Sequence, residues 1–528
     1  MKKRSKIFNI IILPIFLISL NACDKEIDEN LVPNIINDQY RTYYEIFVGA
    51  YSDSNDDGIG DFRGLINRLD YLNDGDPTGG DDLGIDGIWF MPIMPSISYH
   101  KYDVMNYCAI DKNYGSMEDF DEFIKLADER NINVIIDLVI NHTSHLHPWF
   151  ISATTAVKNG DLDNKYVDYY TIVTESEKER GHIYYKIGNT NYYYEGNFSN
   201  QMPELNMDNE EVKNEIINII KFWLNKGVDG FRLDAAKYVY LDDTNRNVEF
   251  WKWFMEEVRK VKEDAYVVGE VWSGDAIIEE YYKSINCFDF GMSQVDGMIA
   301  ATANGMYSVN QYVNHLNYYR NRIESFNKEA ILNPFISNHD MDRSAGYLRD
   351  ESMKVAANLY MLTAGNPFIY YGEEIGMKGS RGTANTDANR RLAMLWGDND
   401  TVKDPIGTTF DPERQTNGTV KSHLKDDKSL LKHYQKLIKI RNANPEIARG
   451  KYTPIEFLDH TSFGGYLSTY NDSTVGIFHN KSMSKIEINL SNYTEYNFEI
   501  LRSYVGEGKA TLNNNILTID GYTSVILK

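Results

Sequence analysis

Four acidic side chains stand at or next to the ends of short apolar runs: Asp137 in VIIDLVINH, Asp234 closing GFRLD, Glu270 closing YVVGE and Asp340 closing PFISNHD. Asn141, His142, Arg232, Asn338 and His339 sit beside them. A single carboxylate in such a place serves equally well as a salt-bridge partner or a helix N-cap. Four together, with imidazoles and a guanidinium close by, supply an acid to protonate a leaving oxygen and a second carboxylate to attack or stabilise an oxocarbenium-like carbon, which is what cleaving a glycosidic bond requires. A second group of oxygen donors follows the first apolar run: Asp53-Ser54-Asn55-Asp56-Asp57-Gly58-Ile59-Gly60-Asp61. Donors at alternate positions and a glycine for the sharp turn match the first part of an EF-hand calcium loop. Position twelve is Gly64 rather than a bidentate Glu, so the loop departs from a complete EF-hand.

Acids at the ends of several runs can meet only if those runs point the same way. From about Arg41 onward, TYYEIFV, GIDGIWF, INVIIDLVI, GVDGFRLD, DAYVVGEV, FDFGM, LNPFIS and PFIYYG alternate with amphipathic helical stretches. Eight such units predict an α/β protein built on a (β/α)₈ TIM barrel, whose chemistry gathers at the C-terminal ends of its strands. The barrel is assigned to residues 39–144 and 207–450. A helix over 209–225 is the clearest of its elements, with Val212, Ile216, Ile220 and Trp223 on one face and Gly227 as a stop. Residues 145–206 show no helix of their own and many tyrosines, and read as a subdomain inserted after the third strand. Residues 451–528 change to alternating strands with Asn, Asp and Gly turns, which predicts a C-terminal antiparallel β-sandwich.

The chain of 528 residues carries a net charge of −23, so a polyanion would meet mostly repulsion and no nucleic-acid partner is expected. Aromatics make up 13%, with 38 Tyr, a composition suited to stacking on flat uncharged ligands such as sugar rings. Residues 1–22 join a basic start to a short apolar run, as a signal peptide does, and Leu20-Asn21-Ala22-Cys23 resembles a bacterial lipobox. The expectation is an exported, cell-surface or outer-leaflet lipoprotein, lipidated on Cys23, with residues 23–38 as a tether and the lipid as its sole membrane contact. It is expected to act as a monomer. Cys108 and Cys287 are too few for a disulfide scaffold and are expected to be core thiols.

DLVINH, GFRLDAAK, GEVW and FISNHD, in that order and at these separations, resemble the conserved regions of the α-amylase family of glycoside hydrolases, over essentially the whole chain from Arg41. The resemblance implies a retaining enzyme with Asp234 as nucleophile, Glu270 as general acid and then base, and Asp340 as the carboxylate holding sugar hydroxyls. It implies that Arg232 keeps Asp234 ionised and that His142 and His339 bond sugar hydroxyls at the cleavage point. In SYHKYDVMNY it points to Tyr102 stacking under that sugar and Asp103 binding a hydroxyl. It implies a structural Ca²⁺ held by Asp53, Asn55, Asp57, the carbonyl of Ile59, and Asp61, and a second ion using Asn141. The substrate implied is an α-glucan, starch or maltooligosaccharides, cleaved internally at α-1,4 bonds. Ala235 and Lys237 after the nucleophile favour that linkage, whereas Tyr238 and the MPELN segment, with Glu204 where the related group has Asp, blur the boundary with pullulan-cleaving relatives. The alternatives are a neopullulanase or cyclodextrinase, an oligo-1,6-glucosidase, or a barrel that binds glycans without cleaving them. GNPFIYYGEEIGM and DANRRLAMLW also match the family and read as scaffold and rim.

Overall fold

The computed structural model describes residues 31–241 and 243–528, so the signal segment and Cys23 lie outside the described residues. Strands β1 (Tyr43–Ile46), β2 (Gly87–Phe90) and β3 (Asn133–Leu138) lie side by side and parallel. A small antiparallel sheet of β4 (Ile172–Thr174), β5 (Tyr184–Lys186) and β6 (Tyr192–Glu195) interrupts them in sequence. The parallel sheet resumes with β7 (Gly230–Leu233), β8 (Tyr266–Gly269), β9 (Asn286–Cys287) and β10 (Phe368–Tyr370), in the order β10-β1-β2-β3-β7-β8-β9.

The last of these strands pairs with the first, Tyr43 opposite Phe368, and the sheet curls into a barrel. Eight ladder strands were expected; two of the eight runs behave otherwise. The run 332–337 contributes only a parallel bridge, Phe335 to Phe368, while its Pro334 carbonyl accepts from Phe368 and Asn333 from Asp289. Pro334 has no N–H to continue a ladder. FDFGM is not a strand: the pairing lies just before it, at β9, and Phe290–Met292 coils into a 3₁₀ turn. The barrel therefore keeps its eight positions and closes through the 332–337 segment.

Large aromatic side chains fill the interior. Tyr43 stacks between Tyr266 and Phe368, with ring centroids 5.3 and 4.8 Å away, so part of the tyrosine excess is core rather than sugar-facing surface. The helix Glu210–Asn225 is capped by the Asn209 side chain, buries Val212, Ile216, Ile220 and Trp223, and is followed by Gly227 at φ 93°. It delivers the chain to β7.

The segment between β3 and that helix differs from expectation by containing a 12-residue helix, Pro148–Asn159. His147 caps its start, Pro148 occupies the first turn and Gly160 closes it in the left-handed region. Its stretch of Thr154, Thr155 and Val157 gave the sequence little helical character. At the C-terminal end, β11 (Lys451–Ile455), β12 (Phe463–Tyr470), β13 (Ser473–Asn480), β15 (Leu501–Gly506) and β18 (Thr523–Leu527) form one antiparallel sheet. A second holds β14 (Ile486–Asn489), β16 (Ala510–Asn513) and β17 (Ile516–Ile519). Phe457, Phe463, Phe478, Leu517 and Val525 form their common core.

Part of the expected tether packs on the barrel instead: Asn34 N–H donates to the Asn442 carbonyl, and Arg449 grips both carboxylate oxygens of Asp38 at 2.7 Å. No helix among the described residues is long and apolar enough to cross a membrane. Cys287 is buried, but Cys108 is exposed and is not the core thiol expected.

Candidate active site

Arg232 and Asp234 lie two residues apart at the end of β7 and share a side of the strand. Arg232 is completely buried and acts as a hub. Its Nη1 donates to Asp137 Oδ1 and Oδ2 at 2.8 and 2.9 Å and to Asp234 Oδ1 at 2.7 Å, while Nη2 donates to Glu270 Oε2 at 2.6 Å. Three strands, β3, β7 and β8, thus bring their acids onto one guanidinium. Such a cluster cannot carry three negative charges cheaply, because one cation compensates only one of them. Burial pushes Asp137 up to about 7 against the pull of Arg232, and it raises Asp234 and Glu270 as well. Glu270 is further raised by the neighbouring charges of Asp234 and Asp340.

The turn after Asp234 is strained. Ala235 sits at φ 49°, in the left-handed region that a Cβ disfavours, and its N–H donates to Glu270 Oε2 at 3.1 Å. The strain buys a second donor for the carboxylate that Arg232 already holds.

Asp340 is treated differently. Arg391 Nη2 donates to its Oδ1 at 2.7 Å, and His339 Nε2 lies 2.9 Å from its Oδ2. Burial would raise this acid, but the charge and hydrogen bond of His339, with Arg391 beside them, outweigh burial and hold it far below the usual carboxylate range. His339 is fully buried and reaches Glu45 Oε1 with Nδ1 at 2.6 Å. Burial lowers its imidazole, yet Asp340 and Glu45 together carry it up to about 9. Tyr102 joins the two groups of acids: its hydroxyl donates to Asp137 Oδ2 at 3.0 Å and sits 2.7 Å from His339 Nε2, with its ring stacked on the imidazole.

These groups open into a cavity of about 1480 Å³ at the C-terminal ends of the strands. Asp234, Glu270, Asp340, Tyr102, His142 and Lys237 line it, together with the aromatic rings of Tyr99, Phe198, Tyr238, Trp272 and Phe410. Phe198 comes from the segment inserted after β3 and packs edge-on against Tyr238 with centroids 5.0 Å apart. Burial pulls His142 down to about 4, so it faces the cavity as a neutral imidazole able both to donate and to accept. Lys237 donates to the Trp272 carbonyl at 2.8 Å, at the cavity edge.

Two expected sugar ligands are placed elsewhere. Asp103 is buried within its own loop, where Ser96 Oγ and Ser98 Oγ donate to Oδ1, and it does not line the cavity. His339 lies behind Asp340 and Tyr102 rather than on the cavity wall. Glu45 and Arg391, which hold His339 and Asp340, were not singled out in the sequence. Glu45 was visible there as the one charged residue inside the first apolar run, and Arg391 as an arginine directly preceding LAMLW.

The Asp53 loop is closed on its own backbone. Asp53 Oδ1 accepts from the N–H groups of Asn55 and Asp56, and its Oδ2 from Gly58 N–H and Thr401 Oγ1 at 2.7 Å each. Asp57 Oδ1 accepts from Ile59 N–H, Asn55 Oδ1 from Asp57 N–H, and Asp61 caps the helix Phe62–Asn67 through Gly64 N–H. The donor set is all oxygen, which suits a hard cation such as Ca²⁺. Among the described residues no three Asp, Glu, His or Cys groups are gathered closely enough to hold a metal. Asn141 gives its amide to Glu204 Oε2 at 2.5 Å and leaves Oδ1 buried without a partner.

The family described as alpha amylase, catalytic domain, matches residues 45–450. Alpha-amylase 3 of Dictyoglomus thermophilum is 36% identical over 100% of this chain and 98% of its own length. A 4-alpha-glucanotransferase of Thermotoga maritima is 30% identical over 87% of the chain and 99% of its own. Among solved structures, Eubacterium rectale Amy13B superposes with a TM-score of 0.87 at 38% identity, covering 94% of this chain and 96% of that one. With a matched catalytic domain and a relative aligned end to end, the chain belongs to the α-amylase family of glycoside hydrolases.

Proposed function

We propose that this enzyme hydrolyses α-1,4-glucosidic bonds inside starch and maltooligosaccharides by double displacement, with retention of configuration. The observation that carries the reading is the division of the cavity's acids: Asp234 and Glu270 share Arg232 and are raised by burial, while Asp340 has its own cations and stays ionised. In the first step a carboxylate oxygen of Asp234 bonds to the anomeric carbon as its bond to the glycosidic oxygen breaks, and the proton of Glu270 passes to that leaving oxygen. In the second, Glu270 takes a proton from water, the water oxygen bonds to the same carbon, and Asp234 departs. A raised Glu270 suits the acid role, and an ionised Asp340 suits holding hydroxyls of a distorted ring.

Internal cleavage is favoured by aromatic rings spread along an open cavity, Tyr99 and Tyr102 near the acids and Phe198, Tyr238 and Trp272 beyond them. The α-1,4 preference rests on the small side chain of Ala235 beside the nucleophile and on Lys237 at the cavity edge. Maltoheptaose, isomaltose, panose and pullulan, with the first-formed anomer followed by NMR, test the reading. Cleavage of maltooligosaccharides at least tenfold faster than isomaltose, releasing the α-anomer, is expected. The opposite order would make the enzyme a 1,6-glucosidase, and a β-anomer would overturn the nucleophile.

The same reading gives Ca²⁺ at the Asp53 loop a structural part only, and gives Cys23 a lipid that holds a monomeric enzyme outside the cell. Cys23→Ala should release the protein into the medium.

A further inference from the structure

We propose that Glu45, on β1 and outside the cavity, is a positioning residue that keeps His339 doubly protonated and thereby fixes Asp340 in the ionised, hydroxyl-binding orientation. The inference rests on the role of Asp340 given above and extends it one step inward. A neutral imidazole has a single N–H, yet Nδ1 of His339 meets Glu45 Oε1 at 2.6 Å, and Nε2 meets the Tyr102 hydroxyl at 2.7 Å with Asp340 Oδ2 2.9 Å away. An ionised carboxylate only accepts, and Tyr102 gives its one proton to Asp137 Oδ2, so both ring nitrogens find their partners as donors only when both carry protons. The imidazolium is then a buried cation whose charge is balanced from two sides.

The ring has little freedom to leave this arrangement. Trp89 meets it edge-on at 5.7 Å, Tyr102 stacks on it at 5.6 Å, and it is completely buried. Charged and titratable groups surround it from every packed element. Glu45 comes from β1 and Asp137 from β3, Arg232 and Asp234 from β7 and its end, and Tyr102 from the loop after β2. Asp340 is the next residue, Arg391 bonds the His339 carbonyl, and Tyr370 of β10 lies beside Glu45. Of these, only Glu45 and Asp340 place a carboxylate on the ring nitrogens. Asp340 must also meet substrate, so Glu45 is the partner that remains constant through the reaction. The raised position of the imidazole, about 9, agrees with that balance.

The test is Glu45→Gln, which keeps shape and a hydrogen-bond acceptor for Nδ1–H but removes the charge. The pH dependence of kcat/KM on maltoheptaose is measured for both proteins from pH 5 to 10, alongside ¹⁵N chemical shifts of the histidine rings in the wild type. Two results are expected: both His339 nitrogens protonated at pH 7.5 in the wild type, and an alkaline limb that moves at least one pH unit lower in the variant. A His339 that is neutral at pH 7.5, or coincident alkaline limbs, would overturn the proposal. If Glu45→Gln does not fold, the wild-type ring shifts decide alone. Wild-type protein inactive on every glucan would instead count against the assigned reaction, and the ring shifts would still report on Glu45.

Discussion

Two groups of acids stand at the same end of this barrel and behave in opposite ways. Asp137, Asp234 and Glu270 come from three different strands onto the one cation of Arg232 and are raised by burial. In the loop after β1, burial also pushes Asp53 up, but Thr401 and backbone N–H groups outweigh it and leave the carboxyl below its ordinary range. The difference lies in the donors. N–H groups of a turn are cheap and local, so Asp53 is stabilised as an anion where it stands. A shared guanidinium deep in the barrel leaves the acids competing, and under the proposed mechanism that competition keeps a proton available for transfer.

The sharpest way to break the comparison is to remove one competitor. Asp234→Asn and Glu270→Gln should each lower turnover by about 10²-fold to 10⁴-fold, the range for loss of a positioned acid or base, with the fold intact by circular dichroism. Turnover within tenfold of the wild type in either variant would mean the cluster is structural.

Removing the hub comes next. Arg232→Lys offers a single ammonium where a guanidinium now donates to three carboxylates. Breaking a buried ion pair costs about 3 to 5 kcal/mol, so both a lower Tm and a loss of activity are expected together. A variant that keeps its Tm and loses only activity would show that the acids repack around lysine, and that the cation's part is confined to catalysis.

Much of this arrangement was legible in the sequence. The acids end apolar runs, and barrel strands deliver such residues to one face, so Asp234, Glu270 and Asp340 could be placed on a common cavity before any coordinates. The supporting shell was harder to read. Glu45 reaches His339 across 294 positions of sequence, and no local pattern encodes a contact of that kind. Asp103 sits next to Tyr102 and looked equally available, but successive residues point in different directions and Asp103 turns into Ser96 and Ser98. The helix Pro148–Asn159 and the run 332–337 departed from expectation for two different local reasons. In the helix the Thr-rich stretch hid the helical character, and in the run Pro334 has no N–H to extend the ladder beyond the bridge at Phe335.

The contrast extends to stability, through a further buried acid behind the barrel mouth. Glu373 Oε1 accepts from the hydroxyls of Tyr360 and Tyr434 at 2.8 Å each, no cation pairs with it among the described residues, and burial pushes it up to about 7. An acid raised in the folded state makes the native protein bind more protons than the unfolded chain. Its contribution is present in full below about pH 4.5 and is lost as pH rises through about 7. A shift of that size corresponds to about 3 kcal/mol. Asp53, being lowered, contributes in the opposite window: present above its unfolded value and lost as pH falls through the folded one. Glu373→Gln keeps an oxygen for both tyrosines, so chemical denaturation from pH 5 to 8 should show a flatter decline in the variant. Parallel curves for the two proteins would refute the assignment.

The smallest effect should come from the loop itself. Its acids are already satisfied by N–H groups, so a bound ion adds to a formed turn rather than creating one. A cation that binds only the folded state stabilises it by mass action, by about 3 to 4 kcal/mol at 100 to 1,000 times its Kd, and a protein this large loses roughly 1 °C of Tm per kcal/mol. EDTA should therefore lower Tm by a few degrees, and Asp57→Ala should produce the same drop and abolish the further effect of EDTA. Turnover at 25 °C should be unchanged in both, because Asp57 is exposed and does not line the catalytic cavity. If EDTA leaves Tm untouched and the purified protein contains no metal, the loop is held by its own hydrogen bonds alone. If Asp57→Ala instead reduces turnover as far as Glu270→Gln does, the two groups of acids are coupled, and the contrast between local and shared donors fails.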